Sequence, residues 1–160
     1  MLEITVITIF PEIFPGPLGV SLAGKALKNE KLKLNISNLR SFAIDKHKTI
    51  DDKPFGGGNG MIMRPDVMGR AIEFHRRSGR EKIIYFTPRG RVLKQNIITE
   101  FVNYDHLILI CGRFEGLDQR VIEEYDILEI SIGDYVLSGG EIASIVFLDS
   151  LIRLLPDVLE

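Results

Sequence analysis

The residues best suited to chemistry in this 160-residue chain lie in the stretch Ser131-Ile132-Gly133-Asp134-Tyr135-Val136-Leu137-Ser138-Gly139-Gly140-Glu141. A short apolar strand there gives way to a glycine-broken loop and then to an apolar helix. Gly133 and the pair Gly139-Gly140 let the backbone take positive φ and let a ligand come within contact distance, both of which a Cβ obstructs. Between them, Tyr135, Val136 and Leu137 can close over a flat apolar group. The helix that follows turns its free N–H groups back toward the loop, placing Glu141 or a bound polar group near the positive end of its dipole. An ordinary strand-to-helix turn is the competing reading of the same glycines.

Two other stretches have the same character. Tyr85-Phe86-Thr87-Pro88 closes an apolar run and leads into Arg89-Gly90, and Gly112-Arg113-Phe114-Glu115-Gly116 follows the apolar run Leu107 to Cys111. These segments have to be placed by regular elements, and the hydrophobic pattern supplies them. Leu2–Phe10, the alternating Leu32, Leu34 and Ile36 that lead to Asn38-Leu39-Arg40, Lys82–Thr87, His106–Cys111 and Asp126–Ile132 read as strands, the first nearly continuous in apolar and β-branched residues like a strand buried on both faces. Gly19–Asn29 with Ser21 as a cap, Pro65–Ser78, Val92–Phe101, a segment ending at Tyr125, and Glu141–Leu154 read as helices. In Pro65–Ser78 the stripe Val67, Met68, Ala71, Ile72 and Phe74 is expected in the core. Strand and helix in alternation predict an α/β fold with a mostly parallel sheet and helices on both faces. The loops after Thr87, Cys111 and Ile132 then fall on one sheet edge, where ligands bind in such folds, so a small-molecule site is the leading reading.

Composition narrows the function further. With 45% hydrophobic residues, the chain can bury a real core as one domain spanning residues 1–160. Cys111 is its only cysteine, so no internal disulfide can form, and its place at the end of an apolar run suits a small buried hydrophobe. No basic leader precedes the first apolar stretch and no apolar run reaches membrane-span length, so the sequence reads as cytoplasmic, with no membrane contact. His47, His75 and His106 have no ligand-like spacing, and no protein-built metal site is expected. There is no Gly-x-Gly-x-x-Gly after the first strand and no Walker sequence, which disfavours a dehydrogenase-like dinucleotide binder.

The net charge of −2 hides a strong asymmetry. Residues 40–94 hold thirteen basic side chains against six acidic ones, and residues 95–160 hold three against thirteen. A basic middle with an acidic end is the footprint of a polyanion-binding face. Within it, Ser41–Gly60 is long and aperiodic, and Gly56-Gly57-Gly58-Asn59-Gly60 offers bare backbone N–H groups beside Lys46, Lys48, Lys53 and Arg64, a combination suited to phosphate.

Taken together, Ile7-Thr8-Ile9-Phe10-Pro11-Glu12-Ile13-Phe14, Asp51-Asp52-Lys53-Pro54-Phe55-Gly56-Gly57-Gly58 with Gly60-Met61, Cys111-Gly112-Arg113-Phe114-Glu115-Gly116, and Ser131 to Glu141 resemble the bacterial tRNA (guanine-N1)-methyltransferase family. The resemblance implies a SPOUT-type fold whose parallel sheet ends in a C-terminal trefoil knot holding S-adenosylmethionine, a topology that connection rules alone would discourage. It implies cofactor contacts at Tyr85, Thr87 and Pro88, at Gly112 and Glu115, and at Ile132, Gly133, Asp134, Tyr135, Val136, Leu137, Gly139 and Gly140. It also implies a homodimer with a shared active site, and a tRNA substrate methylated at the guanine 3′ of the anticodon. Arg153 matches the family's catalytic arginine. The family's aspartate base lies in a linker beyond Glu160, and Asp157 does not match its position. The resemblance therefore leads us to expect a 160-residue chain, without that linker or the family's C-terminal tRNA-binding domain, that binds the methyl donor but methylates poorly. Magnesium dependence is implied too, with no site legible. The alternative is a nucleotide- or cofactor-binding regulatory module without chemistry.

The charge asymmetry generates a test. Replacing Lys46, Lys48 and Lys53 together with alanine is expected to weaken tRNA binding and to flatten its log–log salt dependence by about 1 for each lysine that meets a phosphate. Filter binding over a salt series reads this directly, and unchanged binding removes the segment from the interface.

Overall fold

A computed structural model of the chain describes residues 1–54 and 56–159. Seven strands and five α-helices run β1 (Leu2–Thr8), α1 (Ser21–Lys28), β2 (Leu32–Asn38), β3 (Asp51–Asp52), β4 (Ile62–Met63), α2 (Pro65–His75), β5 (Glu81–Val92), α3 (Gln95–Phe101), β6 (His106–Ile110), α4 (Gln119–Glu124), β7 (Leu128–Ser131) and α5 (Glu141–Ile152) among the described residues. Five strands form one parallel sheet in the order β2-β1-β6-β5-β7, and β3 pairs with β4 in a small antiparallel ribbon. This is the expected α/β architecture with its parallel sheet.

Alternation along the central strands builds two cores, one per face. Ile4, Val6, Ile84, Phe86, Leu107 and Leu109 face α1, α3 and α5, while Ile7, Ile83, Tyr85, Ile108 and Ile110 face α2 and α4. A side-chain period of two therefore leaves almost nothing polar in the middle of the sheet. The exception lies at the amino end of the strands, where buried His106 meets Thr5 Oγ1 through Nε2 at 2.9 Å and Glu81 Oε2 through Nδ1 at 2.8 Å. Each ring nitrogen has a partner, as burial requires.

Several local expectations need correction. Ser21 does not cap α1: its own φ is +56°, Val20 holds the cap position, and no side chain bonds there. Phe74 is 69% exposed rather than in the core, because α2 turns it outward onto the rings of Phe42 and His75, at 5.4 and 5.0 Å between centroids. Strand β5 does not stop at Pro88. It pairs with β7 up to Phe86, bulges over Thr87–Gly90 and rejoins β7 at Arg91 and Val92, so α3 starts only at Gln95. Gly90 makes this possible, since a Cβ there would lie 2.6 Å from the Glu129 carbonyl carbon.

Phe147 of α5 is fully buried and packs on Phe86 and Phe101, with ring centroids 5.6 and 5.3 Å away. Phe147→Ala is expected to destabilise the fold by about 3–5 kcal/mol, read as a lowered urea midpoint at unchanged slope.

Candidate active site

The ends of β5, β6 and β7 are neighbours in the sheet, and their loops surround a single cleft. From β5 come Tyr85, Phe86, Thr87 and Pro88, and from β6 come Gly112, Arg113, Phe114, Glu115 and Gly116. The segment after β7 closes the cleft with Ile132, Gly133, Tyr135, Val136, Leu137, Gly139 and Gly140. Of the positions expected from sequence, only Asp134 and Arg153 lie outside this lining; both are exposed.

The glycines act differently from expectation. Gly133, Gly139 and Gly140 are not among the positive-φ residues, whereas Gly116 is, at +105°. The first three are needed for closeness instead. A Cβ on Gly133 would strike the Tyr135 ring, one on Gly139 would strike Arg113 Nε, and one on Gly140 would lie 2.9 Å from the Cys111 Cα. Gly140 N–H donates to Gly112 O at 3.0 Å, so the start of α5 is laced directly to the end of β6. Beneath this contact Ser144 Oγ donates to Gly140 O at 2.9 Å and sits 3.1 Å from Cys111 Sγ. Burial pushes the Cys111 thiol far up, so it is an inert packing group and not a nucleophile.

Tyr85 forms the floor. Its ring fills the space under Gly112 and Gly116, where a Cβ would lie 2.6 and 2.5 Å away from it, and burial raises its phenol above the ordinary value. Over the floor stand exposed Tyr135 and Val136, the latter 87% exposed, with Tyr135 Oη donating to Ile132 O at 3.2 Å. The pocket thus pairs an apolar floor and lid with main-chain walls, which fits a flat heteroaromatic group read by backbone N–H and C=O.

The 112–117 loop is tied to the glycine-rich arm between β3 and β4. Glu115 N–H donates to Met61 O at 2.8 Å and Met63 N–H to Gly116 O at 2.9 Å. Gly60, at φ +85°, leaves the room that the Glu115 side chain occupies. Gly56, Gly57 and Gly58 have positive φ and stand in open space, while Phe55 of the same motif lies outside the described residues. Lys46, His47 and Lys53 are exposed, and Lys48 donates to Ala43 O at 3.1 Å. Among the described residues no cluster of three His, Cys, Asp or Glu could hold a metal ion, and no helix is long and apolar enough to cross a membrane.

Sequence reasoning missed Phe86, Arg113, Phe114, Gly116, Ser131, Ser138 and Ala143 as cleft residues. Arg113 and Phe86 sat inside segments already singled out, and only the fold shows which side chains turn inward. Arg153 caps the end of α5, ten residues beyond Ala143 of the cleft lining, so about 15 Å of helix separates it from the cleft of its own chain.

A glycine-walled cleft at the carboxyl edge of a parallel α/β sheet is where proteins of this architecture commonly hold nucleotides and cofactors. Comparison with known proteins makes this specific. The family model described as tRNA (Guanine-1)-methyltransferase TrmD matches residues 2–160, and the chain belongs to that family of enzymes. It is 54% identical over 160 residues to the tRNA (guanine-N(1)-)-methyltransferase of Rickettsia prowazekii (strain Madrid E), covering 99% of this chain and 68% of that protein. Proteins of the same name from Rhodospirillum rubrum and Ehrlichia ruminantium (strain Gardel) are 55% and 52% identical over 157 residues each, covering 98% of this chain and 65% and 67% of theirs.

Asp118, which closes the 112–117 loop, yields a prediction. Its carboxylate caps α4, accepting from Arg120 N–H at 2.9 Å and from the Arg120 guanidinium at 2.7 and 3.0 Å. The Arg120 side chain chiefly, helped by its backbone N–H and opposed by burial, holds the Asp118 carboxyl below its ordinary 3.8. A depressed carboxyl pKa stabilises the fold above the ordinary value and is lost as pH falls through the folded one. Asp118→Ala is expected to cost about 1 kcal/mol at neutral pH, with the gap in melting temperature to the wild type closing below pH 3.8.

Proposed function

We propose that this chain binds S-adenosylmethionine in the cleft and serves methyl transfer to N1 of the guanine 3′ of the anticodon in tRNA. The observation that carries the reading is the convergence of three neighbouring strand ends on one glycine-walled cleft, in a chain of this family. The cleft suits the donor: Tyr85 and Leu137 give apolar surface for an adenine, and the main chain at Ile132–Gly133 and Gly139–Gly140 comes close enough to read its edges. When bound, the donor supplies a methyl group activated by a sulfonium.

The transfer further needs a base and a cation. Guanine N1 carries a proton and is a weak nucleophile, so a base must take that proton while a cation faces the charge developing on the N1–O6 edge. We assign the cation to Arg153, acting on the cleft of a second copy of the chain, because within one chain α5 carries it away from the cleft. Helix α5 supports the pairing. Its outward face carries Ile142 and Val146, one turn apart, which remain 55% and 41% exposed, with exposed Asp149 one turn further on. A homodimer sharing its sites covers that face. We propose further that residues 1–160 form one donor-binding unit closed by a trefoil knot. In support, the chain leaves β7 at the sheet edge, crosses the end of β5 and meets Gly112 beyond β6. No set of side chains is assigned to magnesium.

Titration calorimetry with S-adenosylmethionine, S-adenosylhomocysteine and NAD tests the proposal. Binding of the first two and not the third is expected, and Gly140→Ala should lower donor affinity at least about tenfold by pushing α5 off Gly112. Binding of NAD alone would overturn the assignment.

A further inference from the structure

Resting on that reading, we propose that Glu141 is a positioning residue: its buried carboxylate fixes the Arg113 guanidinium over Phe10 so that its outer nitrogen receives a backbone phosphate of the tRNA beside the target guanine.

The Glu141 side chain is 1% exposed and Arg113 21%. Arg113 Nε donates to Glu141 Oε1 at 2.6 Å, Nη1 reaches Ser138 O at 3.3 Å, and the guanidinium carbon lies 4.5 Å from the Phe10 ring centroid. The pair is one-pronged. A forked pairing would engage Nη2 as well, but here Glu141 Oε2 is buried with no hydrogen-bond partner among the described residues. A buried carboxylate with one idle oxygen is a poor way to gain stability. Its evident effect is geometric: with Nε anchored, Nη1 turned to Ser138 and one guanidinium face covered by Phe10, the orientation of Nη2 is set. Gly139 contributes by lacking the Cβ that would displace Nε.

The position of the pair selects its ligand. Phe10 belongs with the core containing Ala43, Ile50 and Met63, which anchors the basic 40–64 segment. Arg113 therefore sits on the seam between the donor cleft and the segment carrying exposed Lys46 and Lys53. A planar guanidinium held at such a seam matches a phosphodiester better than a lysine would.

The test is binding of an unmodified tRNA transcript with guanine 3′ of its anticodon to the 160-residue chain, beside calorimetry with S-adenosylmethionine. If Glu141 acted only through its charge, Glu141→Gln would tighten tRNA binding, since a negative charge is removed near the phosphate. A positioning role predicts the opposite: tRNA affinity about three- to tenfold weaker, a loss of donor affinity that is clearly smaller than this, and an Arg113→Ala/Glu141→Gln double variant that binds tRNA no more weakly than Arg113→Ala alone. Arg113→Ala should also lower the log–log salt slope by about 1. Unchanged or tighter tRNA binding by Glu141→Gln overturns the inference, as does a loss of donor affinity equal to the loss for tRNA. Should Glu141→Gln not melt cooperatively, Arg113→Lys replaces it, with weaker tRNA binding at an unchanged salt slope expected and wild-type affinity refuting. A wild-type chain that binds no donor defeats the proposed function itself, and one that binds donor but no tRNA overturns this inference alone. One that binds both while the variants match it defeats only this inference.

Discussion

The structure depends on how closely Gly140 approaches Cys111 and Gly112. A hydrogen bond of 3.0 Å from Gly140 N–H to Gly112 O joins the first turn of α5 to the end of the central strand β6, and only a residue without a side chain allows it. From that junction α5 runs back along the sheet to bury Phe147, Leu148 and Leu151. The segment before it thereby passes across the ends of β5 and β6 and closes the cleft. Packing of the second layer and the form of the pocket are two results of one contact.

The cleft and the basic arm are also mechanically joined. Backbone hydrogen bonds connect Glu115 to Met61 and Met63 to Gly116, so the loop that walls the cleft doubles as the anchor of the glycine-rich ribbon. Hydrogen bonds between main chains hold position whatever the side chains do, so the cleft wall and the ribbon keep a fixed relation to each other.

Much of this was legible in the sequence because it rests on periodicity. Alternating apolar residues fix β1, β5 and β6 and the two faces they serve, and the order of elements fixes a parallel sheet. Its strand ends then had to carry the glycine loops to one edge. What was hidden depends on contacts between distant residues. Phe74 has the spacing of a core residue, yet α2 presents it to Phe42 at the surface. Pro88 looks like a strand end, but Gly90 lets β5 return to β7. Gly133 and Gly139 suggest unusual backbone angles, whereas their real role is to make room for Tyr135 and Arg113. Arg113 itself gives no local sign of its buried partner 28 residues further along.

Because the walls of this cleft are largely main chain, set by Gly112, Gly133, Gly139 and Gly140, its shape is unusually insulated from point mutation. Most replacements at those positions would damage the fold before they altered the surface presented to a ligand. A compound that reads those peptide groups, and leans little on the exposed Tyr135–Leu137 segment, would therefore meet a surface that few single substitutions can change.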